Sequence, residues 1–134
     1  MRHRRTIFLS GIMLLLSAIA LAGCKGATKT GTPYTVLPSR AIQAYLTGNL
    51  VTVHQTAVKV LRDDYLFTIT RESHDALEGI IEAKTARNDT VRVETFKHSD
   101  TSTKTRVFVG MIGDEKLAAD ILSKIEESLP SAEK

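Results

Sequence analysis

Three groups of side chains in this sequence have the types, though not all the spacing, to do chemistry. Ser73-His74-Asp75 spells a hydroxyl nucleophile, a base and an acid. Hydrolytic catalysis needs those groups converging in space, with the base touching the nucleophile and the acid orienting the base. Consecutive residues at a strand end point in different directions, so the tripeptide reads as a polar turn. His54, His74 and His98 are the histidines beyond the N-terminal segment. They fall on a helix, a turn and a loop, without the short paired spacing of metal ligands, so no metal site is expected. His54 is expected on the helix surface. Glu78 and Glu82 could in principle act as an acid/base pair, but alternating charges on a solvated sheet face explain them more simply. Glycines lie singly at turns, and no phosphate-cradling loop is present. No catalytic residue and no cofactor is therefore expected, and the chain reads as a non-enzyme.

The fourth chemical group is Cys24, the only cysteine, preceded by Leu21-Ala22-Gly23. Ahead of it stand a basic start with Arg2, Arg4 and Arg5 and a run from Ile7 to Ile19 that is apolar or small throughout. A span of the hydrocarbon core asks for roughly 20 apolar residues, and this run is shorter and broken by Ser10, Gly11 and Ser17. It fits a cleaved export leader better, with small residues at the processing site. An exported lone thiol can form no internal disulfide and is a liability unless modified. Small-small-Cys directly behind an apolar run resembles the lipobox of bacterial lipoproteins. The resemblance implies a diacylglyceryl thioether on Cys24, cleavage between Gly23 and Cys24, and often a further acyl group on the new amine. Two or three chains anchor a protein stably where one does not. In Gram-negative lipoproteins an aspartate after the cysteine commonly retains the product in the inner membrane. Lys25 stands there, so the periplasmic leaflet of the outer membrane is expected.

Without residues 1–23 the charge balance changes. Three of the 18 Lys+Arg lie in the leader, so the remaining basic residues equal the 15 Asp+Glu. A nucleic-acid surface needs a basic excess, and nucleic-acid binding is not expected.

Four segments follow: leader 1–23, lipidated cysteine and flexible tether 24–38, a domain at 39–129 and a tail at 130–134. The tether reading rests on Lys, Gly, Thr and Pro in KGATKTGTPYTVLP, with no sustained period. Within the domain, Ala41–Leu46 predicts a strand and Asn49 caps a helix over Leu50–Arg62, with Leu50, Val53, Ala57, Val60 and Leu61 along one face. Tyr65–Glu72, Gly79–Ala86, Val91–Lys97 and Lys104–Met111 predict strands. Asp114 caps a final helix with Leu117, Ile121, Leu122, Ile125 and Leu129 on its buried stripe, ended by Pro130. Odd-numbered apolar residues alternate with even-numbered polar ones along the strands, as in an antiparallel sheet with one covered and one wet face. The expected fold is α+β: a two-layer sandwich, an antiparallel sheet of four to five strands covered on one face by two helices, ordered β-α-β-β-β-β-α. Inward odd positions on both sides of the Ala83/Val93 pair require a loop with an odd number of residues. Three, Asn88–Thr90, would set Lys84 opposite Glu94.

Leu77-Glu78-Gly79-Ile80-Ile81-Glu82-Ala83-Lys84-Thr85-Ala86, Val91-Arg92-Val93, Thr105-Arg106-Val107-Phe108-Val109-Gly110, Gly113-Asp114-Glu115 and the helix Ile121-Leu122-Ser123-Lys124-Ile125 together resemble domain-of-unknown-function family 3568, a group of small bacterial lipoproteins. The likeness spans roughly Ala44 to Leu129 plus the lipobox. It implies a lipid anchor and an α+β body, and no catalytic residues. That family is expected to carry a glycine in the turn between the middle strands, where this chain has Arg87-Asn88-Asp89.

On the wet face Ile80, Phe96 and Phe108, with Tyr45 beside them, could form a contiguous apolar patch, and such patches mark partner surfaces. Scattered exposed apolar residues, or a register shift that buries some, would give the same letters. The expected function is a membrane-anchored, periplasm-facing module acting through an envelope protein partner or a second copy of itself. The alternative is a carrier or sensor of a small apolar ligand, which would need a cavity between Val53, Ile69, Val93 and Ile121.

Overall fold

Asp114 and Asn49 begin the two helices as their side chains dictate. The computed structural model describes residues 25–131. Asn49 Oδ1 accepts from the Thr52 amide at 2.9 Å and opens α1, Leu50–Lys59. Asp114 Oδ1 accepts from the Leu117 amide at 3.0 Å and opens α2, Glu115–Ser128. Each cap satisfies a donor that the first helical turn leaves free. Helix α1 does not stop at Lys59 but widens into a π-helical turn, Val60–Asp64. There the Tyr65 amide reaches the Val60 carbonyl at 3.1 Å.

The strands are β1 Lys25–Ala27, β2 Pro33–Val36, β3 Ile42–Thr47, β4 Thr68–His74, β5 Glu78–Lys84, β6 Thr90–Lys97 and β7 Ser102–Val109. They form one antiparallel open sheet ordered β1-β2-β3-β7-β6-β5-β4. The fold is thus α+β as expected, with seven strands where four to five were expected. The two extra strands come from the stretch read as a flexible tether within 24–38. Lys25 pairs with Thr35 and Val36 with Ile42, so this stretch belongs to the sheet. Its composition lacks strand alternation because a distant residue holds it. Thr28 Oγ1 donates to Glu126 Oε2 at 2.8 Å, and Thr32 Oγ1 donates to Glu126 Oε1, tying the hairpin to α2. The segment read as a leader, 1–23, with Gly23, and Cys24 lie outside the described residues, as do 132–134 of the stretch read as a tail. Among the described residues no helix is long and apolar enough to cross a membrane.

Alternation sorts the faces. Ile81, Ala83, Val91, Val93, Val107 and Val109 are buried with Ile42, Ala44 and Leu46, against Val53, Ala57, Leu61, Ile121, Leu122 and Ile125 of the helical side. Helix α1 lies mainly over β4 to β6, and α2 over β7 and β3. A threonine row, Thr95, Thr103 and Thr105, sits inside this core. Thr103 donates to the Gly48 carbonyl at 2.9 Å, and Thr105 Oγ1 has no hydrogen-bond partner among the described residues.

The loop between β5 and β6 has the odd parity that alternation demands but is longer than three residues. Lys84 faces Thr90, so Thr85–Asp89 is the loop, and Lys84 Nζ donates to Thr90 Oγ1 at 2.7 Å instead of meeting Glu94. Glu94 faces Ile80 and Arg106. Within the Arg87-Asn88-Asp89 turn, which lacks the glycine expected of the family, Asn88 takes the left-handed conformation, φ 67°. Asparagine tolerates that region better than other side chains because its amide can hydrogen-bond locally.

Among the described residues the sheet ends at two edge strands, β1 and β4. β1 is only three residues long, and β4 is mostly exposed, charged and irregular.

Candidate functional site

Strand β4 changes phase midway. Ile69 faces Ala83, the next paired residue is Arg71 facing Glu82, and Thr70 is the extra residue of a bulge. A bulge re-aims the side chains that follow it. Before it the odd residue Ile69 lies opposite buried Ala83; after it Glu72 faces Ile81 and His74 faces Gly79, both on the helix-covered side. The parity that put Thr68 and Thr70 on the wet face does not carry past the bulge, and His74, expected in a turn, is the last residue of the strand.

His54 meets them from α1. It lies four residues after Leu50 and three before Ala57, inside the apolar stripe, and is 1% exposed. The surface position expected for it is therefore wrong. It fits because Gly79 has no side chain: a Cβ there would collide with His54 Nδ1 and lie 2.7 Å from Thr95 Oγ1. His54 Nε2 lies 2.7 Å from Glu72 Oε1, and its Nδ1 lies 3.3 Å from Thr95 Oγ1. His74 Nδ1 lies 3.4 Å from the same Glu72 oxygen, and the two imidazoles are tilted with centroids 4.7 Å apart. The hydrogen bond from His54 holds the Glu72 carboxyl below its usual range against desolvation, helped by His74.

Hydroxyl, imidazole and carboxylate in a row (Thr95, His54, Glu72) have the connectivity of a hydrolytic triad. Thr95 is fully buried, however, and no substrate carbonyl can reach its hydroxyl. Ser73 faces Ile80 on the opposite side of the sheet from His74. Asp75 turns to the chain, accepting from the amides of Leu77 at 2.8 Å and Glu78 at 2.9 Å, and those bonds hold its carboxyl below the usual range. Glu82 is bound by Arg92 at 2.8 and 3.1 Å, and Glu78 is exposed. His98 stacks edge-on against Tyr45, 4.7 Å between centroids.

Ile80, Phe96 and Phe108 lie on the uncovered face, each half-buried. Ile80 and Phe96 line one shallow groove. Phe108 faces Arg92, whereas Phe96 faces Lys104, four positions away along β7 and about 13 Å at strand rise. The Glu94–Arg106 pair lies between them. Lys104 Nζ and the Arg106 guanidinium sit 4.7 and 5.0 Å from the Phe96 centroid. The structure brings Ile80 and Phe96 together and leaves Phe108 apart.

What sequence reasoning missed is the His54–Glu72–His74 meeting. Two signals pointed to it. An isolated glycine in a strand marks a bulge or a close approach, and Glu72 and His74 have same-face strand spacing.

These features define an α+β protein with one covered sheet face and a mixed histidine–carboxylate cluster under its edge strand. Residues 6–128 match the family model described as protein of unknown function (DUF3568), and the chain belongs to that family. No curated protein matches it.

Proposed function

We propose that the protein is a lipid-anchored envelope lipoprotein, acylated at Cys24 and facing the periplasm from the outer membrane, whose body is a non-catalytic protein-contact module. The observation that carries this reading is that Lys25, the residue after the cysteine of the lipobox, is already paired in the sheet, opposite Thr35. Acyl chains on that sulfur would moor the sheet itself, with no slack between fold and bilayer. The family match starts at residue 6, ahead of the apolar run, which supports counting the leader as part of the shared architecture.

The fold also offers a membrane end. β1 runs parallel to β3 and starts at the level of Gln43, toward Arg40. Arg40 packs beside Gly113, in the loop that follows β7. In that loop Met111 and Ile112 are 97% and 82% exposed. Apolar tips and lysines such as Lys25 near the anchor suit a bilayer surface carrying anionic headgroups. Full burial of Val53, Val93 and Ile121 in one continuous core supports a contact module over a carrier of apolar ligands.

Mass spectrometry of the native protein tests the anchor. A peptide starting at acylated Cys24 is expected, and Cys24→Ala should leave an uncut, unmodified precursor. A free thiol, or an intact Met1 on the wild-type protein, would overturn the reading. The contact role is tested at the cation-flanked aromatics of the uncovered face. Phe96→Asp combined with Phe108→Asp should abolish cross-linking to an envelope partner or second copy while circular dichroism stays unchanged. Undiminished cross-linking in a folded variant would remove that role.

A further inference from the structure

We infer that His54, Glu72 and His74 form a binding site for one divalent transition-metal ion of the zinc class. One ligand atom from each residue can be chosen so that all lie within 4.8 Å of one another. Two imidazoles converge on a single carboxylate oxygen, at 2.7 and 3.4 Å. Around zinc, bonds of about 2.0–2.2 Å place tetrahedral ligand atoms roughly 3.4 Å apart. A carboxylate shift of under about 1 Å would therefore bring Glu72 Oε1 and His54 Nε2 to coordinating separation. Two nitrogens and one carboxylate oxygen suit zinc, cobalt or nickel, whereas calcium and magnesium prefer all-oxygen shells.

The surroundings match a three-ligand site with a fourth position open. His54 is held from behind, with a side chain 1% exposed, while Glu72 and His74 are 40% and 35% exposed toward solvent. Thr95 Oγ1 lies at His54 Nδ1. Its hydroxyl can donate to Nδ1 when Nε2–H bonds Glu72, and can accept from Nδ1–H when Nε2 is bare. The second arrangement frees Nε2 for metal and is the orienting contact that ligating histidines usually have. Nε2 can then take a metal with its proton moved to Nδ1, together with the small carboxylate shift. The bulge at Thr70 and the missing side chain at Gly79 both serve this convergence: the one turns Glu72 and His74 inward, the other makes room for the imidazole.

The test uses the full protein in detergent, without a polyhistidine tag, titrated with zinc by calorimetry and with cobalt by visible absorption. One ion per chain at micromolar concentration is expected, with the intense cobalt bands of a low-coordinate site. His74→Ala and Glu72→Gln should weaken zinc binding at least 100-fold, and His98→Ala should leave it unchanged. Both cluster substitutions fall on partly exposed side chains of an edge strand, and Glu72→Gln keeps the shape, so a folded variant is available for the comparison. Absence of one-to-one uptake by the wild type, or equal affinity in wild type and both cluster variants, would overturn the inference. Neither readout depends on the lipid anchor.

Discussion

Gly79→Ala is expected to destabilise the protein by about 3 kcal/mol, although alanine in a strand interior ordinarily gains 0.5–1 kcal/mol over glycine. The added Cβ would occupy the space of the His54 ring and the Thr95 hydroxyl. Overpacking of that kind costs about 1–3 kcal/mol, and a buried histidine pushed off Glu72 loses a charge-assisted bond besides. Against a total stability of about 5–15 kcal/mol the loss is large. It should appear as a lower urea midpoint with an unchanged slope. On a His54→Ala background the same substitution should cost less than half as much, because the ring it displaces is gone. A stabilising Gly79→Ala would show that the imidazole does not sit against this strand.

Loss of the Glu126 carboxylate should have the second largest effect, and it should depend on pH. Burial alone would raise this carboxyl; the hydroxyls of Thr32, Thr30 and Thr28 outweigh it and hold the group below its usual range. A carboxyl depressed in the folded state stabilises the fold fully above its unfolded pKa of about 4.3, and that contribution is lost as pH falls through the folded value. Glu126→Ala is expected to cost about 2 kcal/mol at neutral pH, from two hydrogen bonds to a partly exposed charge. The gap between wild type and variant should be smaller at an acid pH below the usual carboxylate range than at neutral pH. Amide exchange of residues 25–36 should rise in the variant more than exchange in β5 to β7. An equal gap at both pH values would mean that the charge does not hold the hairpin.

The contrast between these two places shows what the sequence makes legible. Asn49 and Asp114 act within three residues, so their caps could be read directly. The Val91, Val93 and Val107, Val109 alternation marks the covered face because the pleat has a period of two. The β1–β2 hairpin could not be read that way, since its anchor lies 98 residues from Thr28 on another element. His54 was hidden for the opposite reason: its place in the apolar stripe was visible, but its polarity argued for the surface, and only Glu72 reconciles the two. That partner is turned inward by one extra residue, and a bulge leaves little trace in a strand of alternating polar letters. The apolar patch was half legible. Parity put Ile80, Phe96 and Phe108 on one face, while register separated Phe108 from the others.

The ragged margin at β4 bears on crowding. On the anchor proposed above, many copies confined to a two-dimensional layer would meet often, and a flat, apolar final strand would let one copy extend the ladder of the next without limit. Thr68–His74 instead presents Arg71, Glu72 and His74 along a kinked backbone. That rim offers no template, so a dense population of this protein should not grow edge to edge through β4 into fibrils.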